Sequence, residues 1–343
     1  MRIAIVNDLS MAVEVLRRII QSAPEYEVAW TAADGIEAVE KCARDCPDLI
    51  LMDLIMPLMD GAQATRIIMK QSPCAILVVT ATVAGNADKV FEALSGGALD
   101  AVATPVLGTS GGIEGGEQLL RKIAIMGRLV AHAKHQAPAT LPSAPSAAQP
   151  VRTPRLVAMG ASTGGPNAVA IILRSLPANL GAALVVVQHL DVQFAPGLVD
   201  WLGDQTGLRV SLIRENMRPE PSEVFVAGTN DHLVIGPDLR FHYTADPVDY
   251  VYRPSVDEFF LSLDRYWPEP GVACLLTGMG RDGAQGLMAL RKAGWRAIAQ
   301  DERTSIVYSM PRAAVELDAR VESLPVDRIS AAIIDELGKE RPE

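Results

Sequence analysis

Three short stretches in the second half of the chain carry residue types suited to nucleophilic catalysis. Ser162 sits in Gly160-Ala-Ser-Thr-Gly-Gly165, His189 follows the apolar run 182–188, and Asp282 lies in Thr277-Gly-Met-Gly-Arg-Asp-Gly283. A serine hydroxyl is a poor nucleophile until an imidazole takes its proton, and the imidazole needs a carboxylate to hold its tautomer and stabilise its charged form. Each residue also has a plain structural reading: Ser162 as a helix cap, His189 as a satisfied core histidine, Asp282 as an N-cap. The chemical reading gains from their common position, where a predicted strand gives way to a turn or helix. Glycines at 160, 164 and 165 allow close approach of a ligand, and the free N–H groups of a helix starting near Pro166 favour developing negative charge. A dinucleotide-binding turn is the competing reading of the same stretch. Its spacing is not Gly-x-Gly-x-x-Gly, and the next strand ends in Gln188-His189 rather than an acid, although Asp191 nearby keeps that alternative open.

The first half offers a different set. Asp8, Asp53, Thr80 and Thr104-Pro105 all fall at the ends of predicted strands. Two carboxylates side by side repel unless a hard cation lies between them, so Asp8 and Asp53 look like oxygen ligands for Mg²⁺, and Asp53 could attack a phosphoryl donor. Alone, either aspartate reads as a cap or turn residue. The full set points to chemistry.

The elements that must position these residues follow from periodicity. Strands are predicted at Arg2–Val6, Glu27–Ala32, Asp48–Met52, 75–79 and 99–103, alternating with helices at Met11–Ala23, Ile36–Arg44, 62–71 and 87–95, then Glu117–Ala133. Such alternation implies an α/β fold with a parallel, doubly wound sheet whose strands end on one edge. A second α/β unit starts at Arg155–Met159 and continues with helix 167–176, strand Ala182–Gln188, helix Ala195–Gln205 and strand Val210–Ile213. Short strands at Val224–Ala227, Leu233–Ile235 and Leu239–Tyr243 around Gly236-Pro237-Asp238 suggest an antiparallel hairpin attached to the parallel sheet. Helix 255–266, strand Val272–Leu276, helix 284–293, strand 296–300 and helices near 312–317 and 326–337 close the unit.

Between the units, five of the nine residues 108–116 are glycine, which predicts a mobile loop, and residues 132–154 hold five prolines and six alanines without an aromatic. That composition fits a semi-stiff tether and cannot build a core. His132 and His135, beside it, read as helix C-terminal caps rather than metal ligands. The expected domains are therefore 1–125, a helix end and linker over 126–153, and 154–343.

At 343 residues the chain is long enough for two full cores. The net charge of −10 is spread over both halves, with 13 basic and 16 acidic residues in 1–153 and 18 and 25 in 154–343. No basic domain exists, which weighs against a nucleic-acid partner. No apolar run approaches a membrane span and no signal-peptide pattern follows Met1-Arg2, so a cytoplasmic protein without direct membrane insertion is expected. Cys42, Cys46, Cys74 and Cys274 form no Cys-x-x-Cys pair and read as reduced thiols packed as small apolar residues, not as a disulfide framework or a zinc site.

Asn7-Asp8, Met52-Asp53-Leu54-Ile55-Met56-Pro57 through Asp60-Gly61, and Thr80-Ala81 together resemble a response-regulator receiver domain, flavodoxin-like in fold. The resemblance implies that Asp53 is the phosphoacceptor, that Asp8 is the main metal carboxylate, and that the carbonyl of Ile55 completes the Mg²⁺ site with Asn7 reaching it through water. It further implies that Thr80 hydrogen-bonds the phosphoryl group. The usual acidic pair is here Asn7-Asp8, and the usual lysine before the proline is Thr104. The second half resembles the catalytic domain of chemotaxis protein-glutamate methylesterases, the CheB family, through Gly160–Gly165, Gln188-His189, Arg253-Pro-Ser-Val-Asp257, Thr277–Gly283 and Gln300-Asp-Glu through Ser309-Met-Pro311. That resemblance implies Ser162 as nucleophile, His189 as general base then acid, Asp282 as orienting carboxylate, and Thr163 with the Met279 N–H at the oxyanion. It implies methyl-ester hydrolysis, with glutamine deamidation as a companion reaction, on a methyl-accepting chemoreceptor-like protein, with a histidine kinase of the CheA type as phosphodonor and no cofactor for the ester step. Leu190-Asp-Val-Gln-Phe194 replaces the family's frequent Met-Pro-Pro and, with Asn7 and Thr104, suggests the branch serving surface-sensing (Wsp-type) pathways. A non-catalytic signalling adaptor with a phosphorylatable receiver is the rival from another class.

Overall fold

Strands β1 (Arg2–Val6), β2 (Glu27–Ala32), β3 (Leu49–Met52), β4 (Ala75–Thr80) and β5 (Asp100–Ala103) alternate with helices α1 (Ser10–Gln21), α2 (Gly35–Arg44), α3 (Gly61–Gln71) and α4 (Ala87–Ser95). The computed structural model describes residues 1–81, 87–107, 113–132, 153–248, 250 and 252–339. They divide into two compact units between Gln136 and Ala137. In the first unit the sheet is wholly parallel in the order β2-β1-β3-β4-β5, the flavodoxin-like winding. Alternate strand residues Ile3, Ile5, Leu49, Leu51, Leu77, Val79 and Val102 pack on one face against Val15, Leu16, Ile19 and Ile20 of α1.

The glycine-rich stretch after β5 holds more order than its composition suggests. Val106–Leu107 (β6) and Ile113–Glu114 (β7) pair antiparallel before α5 (Gly116–His132), because main-chain pairing needs no side chains. Residues 108–112, the centre of that predicted loop, lie outside the described residues, as do most of the Pro/Ala-rich stretch and His135.

The second unit is a seven-stranded parallel sheet, built from β8 (Arg155–Ala161), β9 (Ala182–Gln188), β10 (Arg209–Leu212), β11 (Glu223–Val226) and later strands. Helices α6 (Gly165–Arg174) and α7 (Ala195–Gln205) join the first of them. The antiparallel hairpin expected around Gly236-Pro237-Asp238 is present as β12 (His232–Ile235) with β13 (Phe241–Thr244). It forms a separate two-stranded sheet rather than joining the parallel one, whereas β11 lies in the main sheet, parallel to β9 and β10. Leu239 has φ of 60°, which ends the turn there and delays the return strand to Phe241. Leu233, Ile235 and Phe241 bury against the core rather than hydrogen-bonding to it.

Helix α8 (Val256–Tyr266) leads to β14 (Val272–Leu275), α9 (Ala284–Lys292), β15 (Arg296–Gln300), α10 (Ser309–Leu317), β16 (Glu322–Leu324) and α11 (Val326–Gly338). Strand β16 carries little alternation to announce it and exists because it pairs with β15. The sheet order is β10-β11-β9-β8-β14-β15-β16, so the chain winds outward from β8 first one way and then the other. Helices α6, α7 and α11 pack together, as do α8, α9 and α10. The carboxyl end of β8, where the winding reverses, is the place where such sheets form crevices.

Val256 locks the start of α8 into this point. A Cβ on Gly160 would lie 2.2 Å from its Cγ1, and one on Gly283 would lie 2.6 Å from the same atom. Gly160→Ala should therefore lower the urea unfolding midpoint of the second unit, at a cost of about 1–3 kcal/mol. Combining it with Val256→Ala should cost less than the two single changes summed. Simple additivity of the two would show that this contact is not what excludes a side chain at 160.

Candidate active site

Parallel register carries two of the candidate residues to adjacent positions. Ala161 is the partner of Gln188, so Ser162 and His189 leave neighbouring strands at the same level of the carboxyl edge. The turns are tied together. His189 donates its backbone N–H to the Ala161 carbonyl at 2.9 Å, and the Gln188 carboxamide donates to the carbonyls of Ser162 at 2.7 Å and His189 at 3.2 Å. On the other side, the Ser162 N–H donates to the Thr277 carbonyl at 3.0 Å, and the Thr277 hydroxyl donates to the Thr163 carbonyl at 2.9 Å. A Cβ on Gly278 would sit 2.7 Å from the Cβ of Ser162. Only a glycine lets this strand end press against the serine.

The imidazole and the third candidate meet directly. His189 Nε2 lies 2.7 Å from Asp282 Oδ2, with both side chains 8% exposed. Asp282 also accepts from the Ser255 hydroxyl at 2.7 Å and from the N–H groups of Val256 at 2.7 Å and Asp257 at 3.0 Å. Burial pushes its carboxyl upward, but His189, the Asp257 N–H and the Ser255 hydroxyl outweigh this and hold it below the ordinary carboxylate range. An ionised carboxylate can only accept, so Nε2 carries the proton of the neutral ring and Nδ1 is left with a lone pair. Nδ1 is buried and has no hydrogen-bond partner. A buried imidazole anchored at one nitrogen, with no protein group bonded to the other, has the geometry that a general base requires.

The remaining predicted residues fall nearby. Thr163 is 2% exposed beside the serine, and among the described residues no protein group accepts from the backbone N–H of Met279. The Asp191 carboxylate is engaged as the cap of the 3₁₀ turn Val192–Phe194, accepting from the Gln193 N–H at 3.0 Å. Ile306 crowds Gly164, where a Cβ would meet it at 2.7 Å. Both observations remove support from the dinucleotide reading.

Two positioning residues, Tyr252 and His232, carry no sequence signal of their own. Tyr252 stacks on His189 with centroids 4.5 Å apart and planes 4° from parallel, fixing the plane of the imidazole. Gly280, at φ of 93°, makes room for it, since a Cβ there would lie 2.7 Å from the Tyr252 hydroxyl. His232, fully buried, accepts the Ser255 N–H at Nδ1 and sits 3.1 Å from the Pro247 carbonyl at Nε2, so its proton is on Nε2. The Arg253–Asp257 motif flanks all of these contacts and was the only available hint.

In the first unit, β1 and β3 deliver Asn7, Asp8 and Asp53 to one edge. Asn7 Nδ2 donates to Asp53 Oδ2 at 3.0 Å, and the Leu54 N–H donates to Oδ1 at 2.7 Å. Burial pushes the Asp53 carboxyl up to about 6; the N–H groups of Leu54 and Ile55 offset this only in part, and the charge of Asp8 adds to it. None of these partners is a cation, so a divalent ion between Asp8 and Asp53 would relieve the penalty, and an all-oxygen donor set completed by the Ile55 carbonyl suits Mg²⁺. Thr80 is buried at the end of β4, and Thr104 bonds to it by backbone while its own hydroxyl has no partner. Gly61 is required beneath this edge, because a Cβ there would lie 1.9 Å from the Asp53 carbonyl.

Residues 157–333 match the family model of the CheB methylesterase, and residues 3–108 match the response regulator receiver domain. A protein-glutamate methylesterase/protein-glutamine glutaminase of a group 3 operon from Pseudomonas putida is 48% identical over 343 residues, covering 99% of this chain and all of that protein. A protein of the same description from Mesorhizobium japonicum is 51% identical over 338 residues, covering 98% of each. The crystal structure of the CheB methylesterase catalytic domain from Thermotoga maritima is 30% identical, with a TM-score of 0.49, over 53% of this chain and 98% of that one. With this identity from end to end, and with the family model spanning the unit that holds Ser162, His189 and Asp282, the chain belongs to the CheB methylesterase family and carries a response-regulator receiver domain in front of it.

Proposed function

We propose that this chain is a phosphorylation-regulated hydrolase that removes methyl groups from γ-glutamyl methyl esters on the cytoplasmic helices of a methyl-accepting chemoreceptor-like protein, and deamidates specific glutamines at the same site. The observation that carries the reading is the buried His189–Asp282 pair, with a bare Nδ1, one strand away from Ser162. The Ser162 oxygen attacks the ester carbonyl as His189 Nδ1 takes its proton. The C–O bond to methoxide then breaks, and the imidazolium returns the proton so that methanol leaves. Water attacks the acyl-serine with His189 again as base, releasing glutamate. A glutamine would pass through the same sequence with ammonia as the leaving group. Thr163 and the unengaged N–H of Met279 are the proposed donors to the oxyanion. Exposed Ile306 and Tyr250 near the site suit an amphipathic protein segment better than a small ester.

In the receiver, Asp53 is the proposed phosphoacceptor, from a histidine kinase of the CheA type. Asp8, Asp53 and the Ile55 carbonyl would hold Mg²⁺, with Asn7 reaching it through water; when bound, the ion supplies positive charge to the incoming phosphoryl oxygens. Thr80 and the unpartnered Thr104 hydroxyl are the proposed donors to that group. The receiver restrains the catalytic unit until Asp53 is phosphorylated. Asn7, Thr104 and the Leu190–Phe194 segment support a place in the surface-sensing branch of the family.

Ser162→Ala should lower methanol release from methylated receptor membranes by at least about a thousandfold with the fold intact, and Asp282→Asn by about a hundred- to ten-thousandfold. Near-normal release from Ser162→Ala would exclude the acyl-serine route, and no release from the phosphorylated parent chain would favour the adaptor. Phosphorylation of Asp53 from a small phosphodonor should fall to background in EDTA or in Asp8→Ala. With Lys absent at 104, the phosphorylation-dependent gain in methanol release should increase in Thr104→Lys; no change would show that the hydroxyl suffices.

A further inference from the structure

Three of the four cysteines converge although no short motif links them. Cys42 lies in the last turn of α2, Cys46 two residues beyond that helix, and Cys74 immediately before β4. Their Sγ atoms all lie within 4.8 Å of one another, with Cys42 and Cys74 at 3.9 Å. Cys42 is buried, Cys74 half-buried and Cys46 exposed. Cys46 follows the end of α2 and comes back beside Cys42, and the α3–β4 turn brings Cys74 to them; only the fold shows the set.

We propose that Cys42, Cys46 and Cys74 form a tris-thiolate site for a divalent, thiophilic cation of the Zn²⁺ type. Zn–S bonds of about 2.3 Å in a tetrahedron place the sulfurs about 3.8 Å apart. One pair already stands at 3.9 Å and the others need to close by less than about 1 Å. Three sulfurs and an open side at exposed Cys46 leave a fourth position for water and a path of entry. Only weak contacts compete, from Cys42 and Cys46 to the Ser72 carbonyl at 3.7 and 3.9 Å and from Cys46 to the Pro47 carbonyl at 3.8 Å.

Charge favours a dication over a monovalent ion. A dication displacing three protons leaves a net charge of −1, whereas a monovalent ion leaves −2 in a half-buried place. The site is at the amino edge of the sheet, opposite Asp53. It would clip the end of α2 to the α3–β4 turn and stabilise the receiver without entering the phosphorylation chemistry.

The test uses the reduced, metal-free full-length chain titrated with Zn²⁺ against a chromophoric chelator, and with Co²⁺ followed by its thiolate charge-transfer absorption. One Zn²⁺ per chain, the charge-transfer band, a raised Tm and slowed alkylation of Cys46 are expected. Cys46→Ser, at an exposed position, should abolish the band and weaken Zn²⁺ binding at least about tenfold. Asp53→Asn should leave both unchanged, which separates this site from the carboxylates. Absence of the band, a band that survives both Cys46→Ser and Cys74→Ala, or Cys46 alkylation indifferent to Zn²⁺ in the parent chain would overturn the proposal. So would formation of a Cys42–Cys74 disulfide in air by a chain that takes up no Zn²⁺.

Discussion

The contact between Asp282 and His189 is the interaction on which the catalytic unit depends. One carboxylate, largely buried, accepts from the imidazole, from the Ser255 hydroxyl and from two N–H groups at the start of α8. Those N–H groups have no partner within their own helix, so Asp282 caps α8 while it orients the ring. Removing its charge would release a helix end and a catalytic tautomer together. Burying such a group is costly unless its acceptor sites are filled, and here the donors come from two separate segments of chain, His189 and Ser255–Asp257.

The arrangement is reciprocal. Asp257, in the first turn of α8, accepts the Gly286 N–H at 2.7 Å at the start of α9, while Asp282, just before α9, caps α8. Each helix is thereby held by an acid from the other. Burial raises the Asp257 carboxyl to about 6, the Gly286 N–H only partly offsets it, and repulsion from Asp282 adds to the rise. The pair therefore works against ionisation at Asp257 and in favour of it at Asp282, where the imidazole tips the balance. A folded-state value above the unfolded one means that this part of the stability is present at low pH and is lost as pH climbs toward 6. Asp282 acts in the opposite sense, its contribution being lost as pH falls below the ordinary carboxylate range.

Strand ends were legible in the sequence because apolar runs stop abruptly at residues that cannot be core. That is why periodicity alone puts Ser162, His189, Asp8 and Asp53 on sheet edges and bounds Ala182–Gln188 and Ala195–Gln205 as observed. What escaped was set by tertiary contact. Strand β16 depends on its neighbour, the start of the hairpin's return strand depends on Leu239 in a left-handed conformation, and Tyr252 and His232 reach the site only through the fold around the Arg253–Asp257 segment. The thiol cluster is the same case, since spacing along the chain says nothing of a turn thirty residues away.

The proposed mechanism requires Asp282 to select one tautomer of His189 and so leave Nδ1 free for Ser162. Nitrogen-15 NMR of the His189 ring in the resting full-length chain reads this directly. Under that mechanism, Nε2 should carry a proton hydrogen-bonded to Asp282, and Nδ1 should carry none. A proton found on Nδ1 would contradict it, because Asp282 would then face a lone pair and Ser162 would have no base.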